Sequence, residues 1–326
     1  MRLRLDQGSA RLMAIHQFQN PAFSLRQLQY AVAVAQTGGF GAAAVLCGVS
    51  QPSLSAQVAK LEAALDVTLF LRNQKGVLLS PIGERLLPTF RAALNAGAGV
   101  ETAAATLRSP YAVPIRIAVI PTVAPYLLPA VTKATRGSEG PVFHWLELQT
   151  SDAERALAEG RADAIVIADP LRESTLHVEE LGWEPFFVAT HPEAAMPDDV
   201  PVEWLHDCQL LLLEDGHCLR DQTLSLCKLP NTLRSPVRAT SLGTLIQMVA
   251  AGLGVSVIPA MAISSEMART SFQTRPFDDA SVGRHLSLVT MAEHPLTPIL
   301  GELADTFREA LREIASTPAT VGDEPT

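Results

Sequence analysis

Residues 25–83 read LRQLQYAVAVAQTGGFGAAAVLCGVSQPSLSAQVAKLEAALDVTLFLRNQKGVLLSPIG. After Ser24, the apolar positions Leu25, Leu28, Val32 and Ala35 recur at intervals of three and four, which predicts a helix up to the break at Thr37-Gly38-Gly39. A short second helix is expected from Gly41 to Leu46, and Gly48-Val49 turns the chain. Ser50 reads as an N-cap, with Pro52 in the first turn and Leu54, Val58, Leu61 and Leu65 along one face of a third helix. Phe70 to Pro81 alternates about Lys75-Gly76, the pattern of a small hairpin. Helix, helix, turn, helix, hairpin is the order of a winged helix-turn-helix.

A helix that enters the major groove keeps its apolar face on its own domain, so its outer face must carry short groups that reach base edges. Gln51, Ser53, Ser55, Gln57 and Lys60 fall off the apolar stripe of the third helix, with Pro52 at its start. Gln51 has the amide for a bidentate contact with adenine, and Arg72 in the hairpin is placed for phosphate or a minor groove. A solvated amphipathic helix also shows a polar face, so the helix alone decides nothing. Charge separates the two readings. The chain carries a net charge of −9, but residues 1–110 hold ten Lys and Arg against five acids, a net of +5. The remainder, with 15 bases and 29 acids, stands at −14. Such asymmetry points the N-terminal part at a polyanion and the rest elsewhere.

Working outward, 326 residues suggest two or three domains, and 48% hydrophobic against 18% charged residues supplies packed cores. No run of about 18 apolar residues suggests a membrane span, and Met1 to Asn20 lacks the apolar core of a secretory signal. A cytoplasmic location follows as an expectation, in which Cys47, Cys208, Cys218 and Cys227 are reduced by default. Residues 83–108, rich in Ala and Leu, predict a long helix with Pro88 as its potential kink. Beyond Pro110 the rhythm becomes strand, helix, strand. Strands are expected at Ile115–Ile120, Phe143–Leu148, Ala164–Ala168, Phe186–Ala189, Gln209–Leu213, Val255–Ile258 and Leu286–Thr290. Helices are expected at Ala124–Arg136, Asp152–Glu159 and Ser241–Ala251. This alternation predicts α/β layers with largely parallel sheets, divided into two subdomains.

The segment LLLEDGHCLRDQTLSLC, residues 211–227, carries the most chemistry. The thiolate is the reactive form of cysteine, and cationic neighbours such as His217 and Arg220 favour it at Cys218. On a single helix, the nine residues from Cys218 to Cys227 would separate their Cα atoms by roughly 13.5 Å, whereas a disulfide needs less than about 7 Å. Bonding the two requires local refolding, which makes the spacing a potential switch. Closing such a loop costs on the order of 2.7 kcal/mol of chain entropy in the simple model, and a two-electron couple supplies about 1.4 kcal/mol per 30 mV. The opposing reading is that both are small buried hydrophobes. A zinc site of His217, Cys218 and Cys227 fits poorly, because the spacing matches no common ligand pattern and a fourth ligand is not evident; no cofactor or metal is expected.

Residues 25–83 resemble the DNA-binding domain of LysR-type transcriptional regulators. The resemblance rests on Phe40, Ala43, Ala44, Val49, Ser50, Gln51, Pro52, Ser53, Leu54, Ser55, Leu61, Glu62, Leu69, Phe70, Arg72 and Gly83. One departure is Gly41-Ala42 after Phe40, where family members often carry Arg, which implies fewer phosphate contacts. GHCLRDQ with Cys227, IPTVAPYLLP from Ile120 and RATSLGTLIQMVAAGLGVSVIPA from Arg238 resemble the hydrogen-peroxide-sensing members of that family, over about residues 24–300.

The fold so implied is α+β multidomain. A poorly ordered extension (1–22) precedes the winged helix-turn-helix (23–82) and a linker or dimerisation helix (83–110). A periplasmic-binding-protein-like α/β effector domain of two subdomains (111–316) and a tail (317–326) complete it. The resemblance also implies that Cys218 is the peroxidatic cysteine and Cys227 the resolving one, that Thr122, Thr150, His217 and Asp221 belong to the peroxide pocket, and that Arg284 favours the Cys218 thiolate. It gives Cys47 no redox role, and Cys208 has no motif support. Partners so implied are a double-stranded DNA operator, hydrogen peroxide as signal, RNA polymerase, a thiol reductant such as glutaredoxin and further copies of the chain as dimer or tetramer. The alternatives are a metabolite-responsive regulator of the same family with incidental cysteines, opposed by the intact motif around Cys218, and a thiol-dependent peroxidase, opposed by Ser50-Gln51-Pro52 and the basic N-terminal part.

Overall fold

The computed structural model describes residues 21–73, 76–108, 113–136, 142–169, 174–228, 238–292, 294 and 297–316. The hairpin turn at 74–75, most of the N-terminal extension and the tail at 317–326 lie outside the described residues. The chain divides into two compact units, Met1–Ala98 and Gly99–Thr326.

The first unit opens with α1 (Leu25–Thr37), started by a capping box: the Gln27 backbone N–H donates to the Ser24 hydroxyl, and the Ser24 backbone N–H donates to the Gln27 side-chain oxygen at 2.8 Å. It ends at Gly38 in the left-handed conformation. Then follow α2 (Phe40–Leu46) and α3 (Gln51–Leu65). The strands β1 (Phe70–Asn73) and β2 (Gly76–Leu79) pair antiparallel with Phe70 opposite Leu79 and Arg72 opposite Val77. Leu28, Ala31, Val34, Ala44, Leu54, Val58, Leu61 and Leu69 lie in the core, whereas Leu25, expected on the apolar stripe of α1, is 50% exposed. Each large aliphatic side chain so buried contributes about 1.5–3 kcal/mol. Glu62 joins helix to hairpin, accepting the backbone N–H of Leu69 at 2.7 Å and of Phe70 at 3.2 Å. Gly83, at the start of α4 (Pro81–Arg108), admits no side chain, because a Cβ there would collide with the carbonyl oxygen of Leu69. Pro88 lies inside α4.

The second unit contains β3 (Ile115–Val119), α5 (Ala124–Thr135), β4 (Phe143–Glu147), α6 (Thr150–Ala158), β5 (Ala164–Ala168) and β6 (Leu176–Thr190). There follow β7 (Leu212–Leu213), α7 (Cys218–Leu226), β8 (Arg238–Ala239), α8 (Leu242–Ala250), β9 (Ser256–Pro259), α9 (Ala260–Met267), β10 (Gln273–Pro276), β11 (Gly283–Met291) and α10 (Thr297–Ser316). The main sheet runs β10-β6-β11-β5-β3-β4, with β9 also on β6. The expectation of largely parallel sheets is corrected here: within this sheet only β3–β4 and β3–β5 are parallel, and every pairing of β6 and β11 is antiparallel. The cause is β6, fifteen residues long. Its first two-thirds pair with β11 and its last third with β10 and β9, so one strand serves both halves of the unit. The helix α10, not anticipated, buries Leu300, Leu303, Ala304, Phe307 and Ala310 at helical spacing.

Candidate functional site

On α3, Ser50 caps through its hydroxyl, which accepts from Ser53 N–H, and Pro52 occupies the first turn. Gln51, Pro52, Ser53 and Lys60 are exposed. Ser55 and Gln57 are half-buried, and the Gln57 carbonyl accepts from the Gln27 amide at 3.1 Å, so α1 fixes that side chain instead of leaving it open. The side chain of Arg72 lies outside the described residues. Gly41 sits against the Gln51 side chain, where even a Cβ would touch it at 3.5 Å.

The cysteine segment begins where β7 leaves the core. β7 pairs with β8, and Leu210 bridges to Val255. Gly216 then turns the chain with φ +97, and a Cβ there would strike the Gln149 side chain. His217 occupies the N-cap position of α7, Cys218 is its first residue and Cys227 is its C-cap. Arg220 ties the first turn back to the strand exit, pairing with Asp215 at 2.9 Å and donating to the Leu213 carbonyl. Gln222 donates to Asp169 at 2.6 Å, whose other oxygen accepts from His285 N–H. Cys218 is half-buried, whereas Cys227 is 1% exposed and burial pushes its thiol up to about 11.

Gln149 precedes α6 as Gly216 precedes His217, so their contact brings the starts of α6 and α7 together. On the two sides of it stand Thr150, whose hydroxyl is buried without a hydrogen-bond partner, and His217, 3% exposed with both ring nitrogens equally unpartnered. Burial lowers the His217 pKa, which keeps the ring neutral at pH 7 with one N–H donor and one acceptor, so the cationic His217 expected beside Cys218 is corrected to a neutral one. These groups, beside a thiol, suit a small ligand that both donates and accepts.

Arg284 is fully buried and donates to Glu184 at 2.8 Å, to the Thr122 hydroxyl at 2.8 Å and to the Thr122 carbonyl at 3.2 Å. Its carbon Cζ lies 5.9 Å from the Phe186 ring centre. The Arg284 charge is matched by Glu184, and its donors hold Thr122; that it favours the Cys218 thiolate is what the resemblance implies. Because that hydroxyl accepts from Arg284, its own hydrogen is free to point elsewhere. Thr122 does not cap α5; the N-cap position there is Val123, without a side-chain bond. Asp221, expected in the pocket, is exposed on the first turn of α7, where its charge suits the helix dipole. Sequence reasoning missed Glu184, Gln149, Asp169 and Asp215. Of these only Glu184 left a trace, as a lone acid in the largely apolar run LGWEPFF that leads into the strand expected at Phe186–Ala189.

Two family models match. One, for the bacterial regulatory helix-turn-helix protein of the lysR family, covers residues 25–84; the other, for the LysR substrate binding domain, covers residues 111–313. The chain belongs to the LysR family. A probable hydrogen peroxide-inducible genes activator of Streptomyces viridosporus is 37% identical to this LysR-family chain, over 89% of it and 95% of the relative. The DNA-binding transcriptional dual regulator OxyR of Escherichia coli K12 is 35% identical over 87% and 95%. Among solved structures, a full-length OxyR variant of Pseudomonas aeruginosa matches with TM-score 0.70 and 34% identity over 88% of this chain and 95% of that one. A hydrogen-peroxide-bound OxyR mutant of Corynebacterium glutamicum matches with TM-score 0.62 and 31% identity over 94% and 99%. The family fixes the general role as a DNA-binding transcriptional regulator. Among the described residues no helix is long and apolar enough to cross a membrane.

Proposed function

We propose that this chain is a cytoplasmic regulator that senses hydrogen peroxide through a reversible Cys218–Cys227 disulfide and controls oxidative-stress genes. The observation that carries the reading is the half-buried Cys218, next in the chain to the unpartnered His217 ring, on a helix start that the Gln149–Gly216 approach brings to that of α6, where the Thr150 hydroxyl is also unpartnered. Peroxide has two donors and two acceptors, which matches that set. The Cys218 thiolate attacks one peroxide oxygen, the O–O bond breaks, and the departing hydroxide takes a proton and leaves as water, giving a sulfenic acid. The Cys227 sulfur then attacks the Cys218 sulfur. The S–O bond breaks, and a second water leaves with the Cys227 proton. Two thiols have lost two electrons, and peroxide has gained them. A thiol reductant resets the pair, so the protein completes one oxidation per cycle and is not an enzyme.

In this reading residues 23–82 bind the operator, 83–110 join two copies and 111–316 sense. The disulfide shifts the spacing of paired reading heads in a dimer or tetramer that engages RNA polymerase. The test is direct. Reduced full-length protein, given one equivalent of peroxide and mapped by mass spectrometry, should show a Cys218–Cys227 linkage, and its absence sinks the sensor reading. For the reading head, Gln51→Ala should weaken operator discrimination at one base by about 1–3 kcal/mol, roughly the worth of one bidentate contact. A footprint and base preference unchanged by Gln51→Ala would show that Gln51 does not read the operator.

A further inference from the structure

We infer that His206 is a positioning residue for the resolving step, holding Cys227 at the end of α7 while the protein is reduced and releasing it when the disulfide forms. The inference rests on the redox reading above and assigns a role to a residue outside the peroxide pocket. His206 lies on the 3-10 turn Val202–Asp207, and its Nε2 meets the backbone carbonyl oxygen of Cys227 at 2.9 Å. A carbonyl only accepts, so Nε2 carries the hydrogen and donates. The turn is itself anchored: Leu205 is buried, Cys208 N–H donates to the Leu205 carbonyl, and Leu210 bridges to Val255. The ring therefore reaches from a fixed support to one of the carbonyls that a helix end leaves without a partner.

A second, independent feature marks the same point. Lys228 follows Cys227 with φ +51, a left-handed conformation that glycine adopts freely and lysine does not. The end of α7 is thus strained by Lys228 and fastened by His206. Cys227 cannot approach Cys218 from its present place, because a nine-residue helical separation is roughly 13.5 Å between Cα atoms and a disulfide tolerates less than about 7 Å. The helix end must open, and the His206 bond is among those that opening breaks. Opening also brings the Cys227 thiol out of the core, where burial opposes its ionisation. The resolving step keeps the balance given above: an S–S bond forms, the S–O bond of the Cys218 sulfenic acid breaks, and water leaves with the Cys227 proton.

The latch stabilises the reduced form only, so loosening it favours the oxidised one. In His206→Ala, time courses quenched with dimedone should show Cys218 sulfenic acid forming at the wild-type rate but disappearing about fivefold faster, the equivalent of one ordinary hydrogen bond. The dithiol–disulfide equilibrium against glutathione should move about fivefold toward disulfide, which is roughly 20 mV. His206→Gln, which keeps a donor, should return part of both effects. Lys228→Gly relieves the left-handed strain and should shift both quantities the other way. A merely structural role for His206 would not leave the first step untouched while changing the second. Unchanged sulfenic acid lifetime and equilibrium in His206→Ala, in a protein whose wild type forms the Cys218–Cys227 disulfide, overturn the latch. A changed first step overturns it as well. If the wild type forms no such disulfide, the redox reading itself has failed.

Discussion

Glu184→Ala should destabilise the full-length protein by about 3–5 kcal/mol, because it strands the fully buried Arg284 charge without its partner. Domains of ordinary size hold about 5–15 kcal/mol of stability, so the loss is a large share of the total. Glu184 does more than neutralise. One carboxylate oxygen takes the Arg284 Nε hydrogen bond and the other accepts from the Met261 backbone N–H at the start of α9 at 3.0 Å, and both partners lose their acceptor in the variant. The check is the urea midpoint of the full chain. A companion variant separates charge from packing: with Glu184→Met and Arg284→Met together, no buried charge remains, and most of the stability should return. Peroxide reactivity should not return with it, since Thr122 loses both hydrogen bonds from Arg284. A shift below about 1 kcal/mol in Glu184→Ala, the range of an exposed pair, would contradict the burial on which the argument depends.

The contrast between Glu184 and the reading head shows which features a sequence exposes. The first unit is built from local rules. Ser24, Ser50 and Gly38 act within three or four residues of themselves, and Leu54, Val58 and Leu61 disclose their face by spacing alone. The Cys218 motif is legible for the same reason: Gly216 turns the chain just before Cys218, and Arg220 bonds to Asp215 and Leu213 close by in the chain. What stayed hidden depends on long-range pairing. Glu184 and Arg284 are 100 residues apart, Thr122 and Arg284 are 162 apart, and His206 meets Cys227 across 21. Nothing periodic announces such a contact. Strand direction was misjudged for a related reason: alternating strands and helices suggest parallel crossovers, but β6 carries polar residues such as Glu179 and Glu180 through its first half. The sequence pattern predicts a strand only over Phe186–Ala189, the last third of it. Lone polar residues within apolar runs mark where a long-range partner must exist without naming it.

Which cysteine reacts first also follows from burial, and serine variants should divide the two cleanly. With its thiol pushed up to about 11 by burial, Cys227 is ionised to only about one part in ten thousand at pH 7. That is roughly a hundredfold below the few per cent of an ordinary cysteine. Cys208 is no competitor: burial and then the Asp207 charge raise its pKa, and its sulfhydryl donates to the Trp204 carbonyl at 3.3 Å. Cys218→Ser should therefore slow peroxide oxidation of the effector domain by at least about two orders of magnitude, in proportion to the thiolate that remains. No disulfide should appear. Cys227→Ser should leave formation of the Cys218 sulfenic acid at its wild-type rate and let it persist, because a serine hydroxyl does not displace the sulfenic oxygen. Mass spectrometry of dimedone-trapped protein reads both: an adduct on the Cys218 peptide that accumulates in Cys227→Ser, and none in Cys218→Ser. An adduct on Cys227 or Cys208 in the Cys218→Ser protein, formed at the wild-type rate, would reverse the assignment, because a buried protonated thiol cannot match a reactive one unless the core opens first.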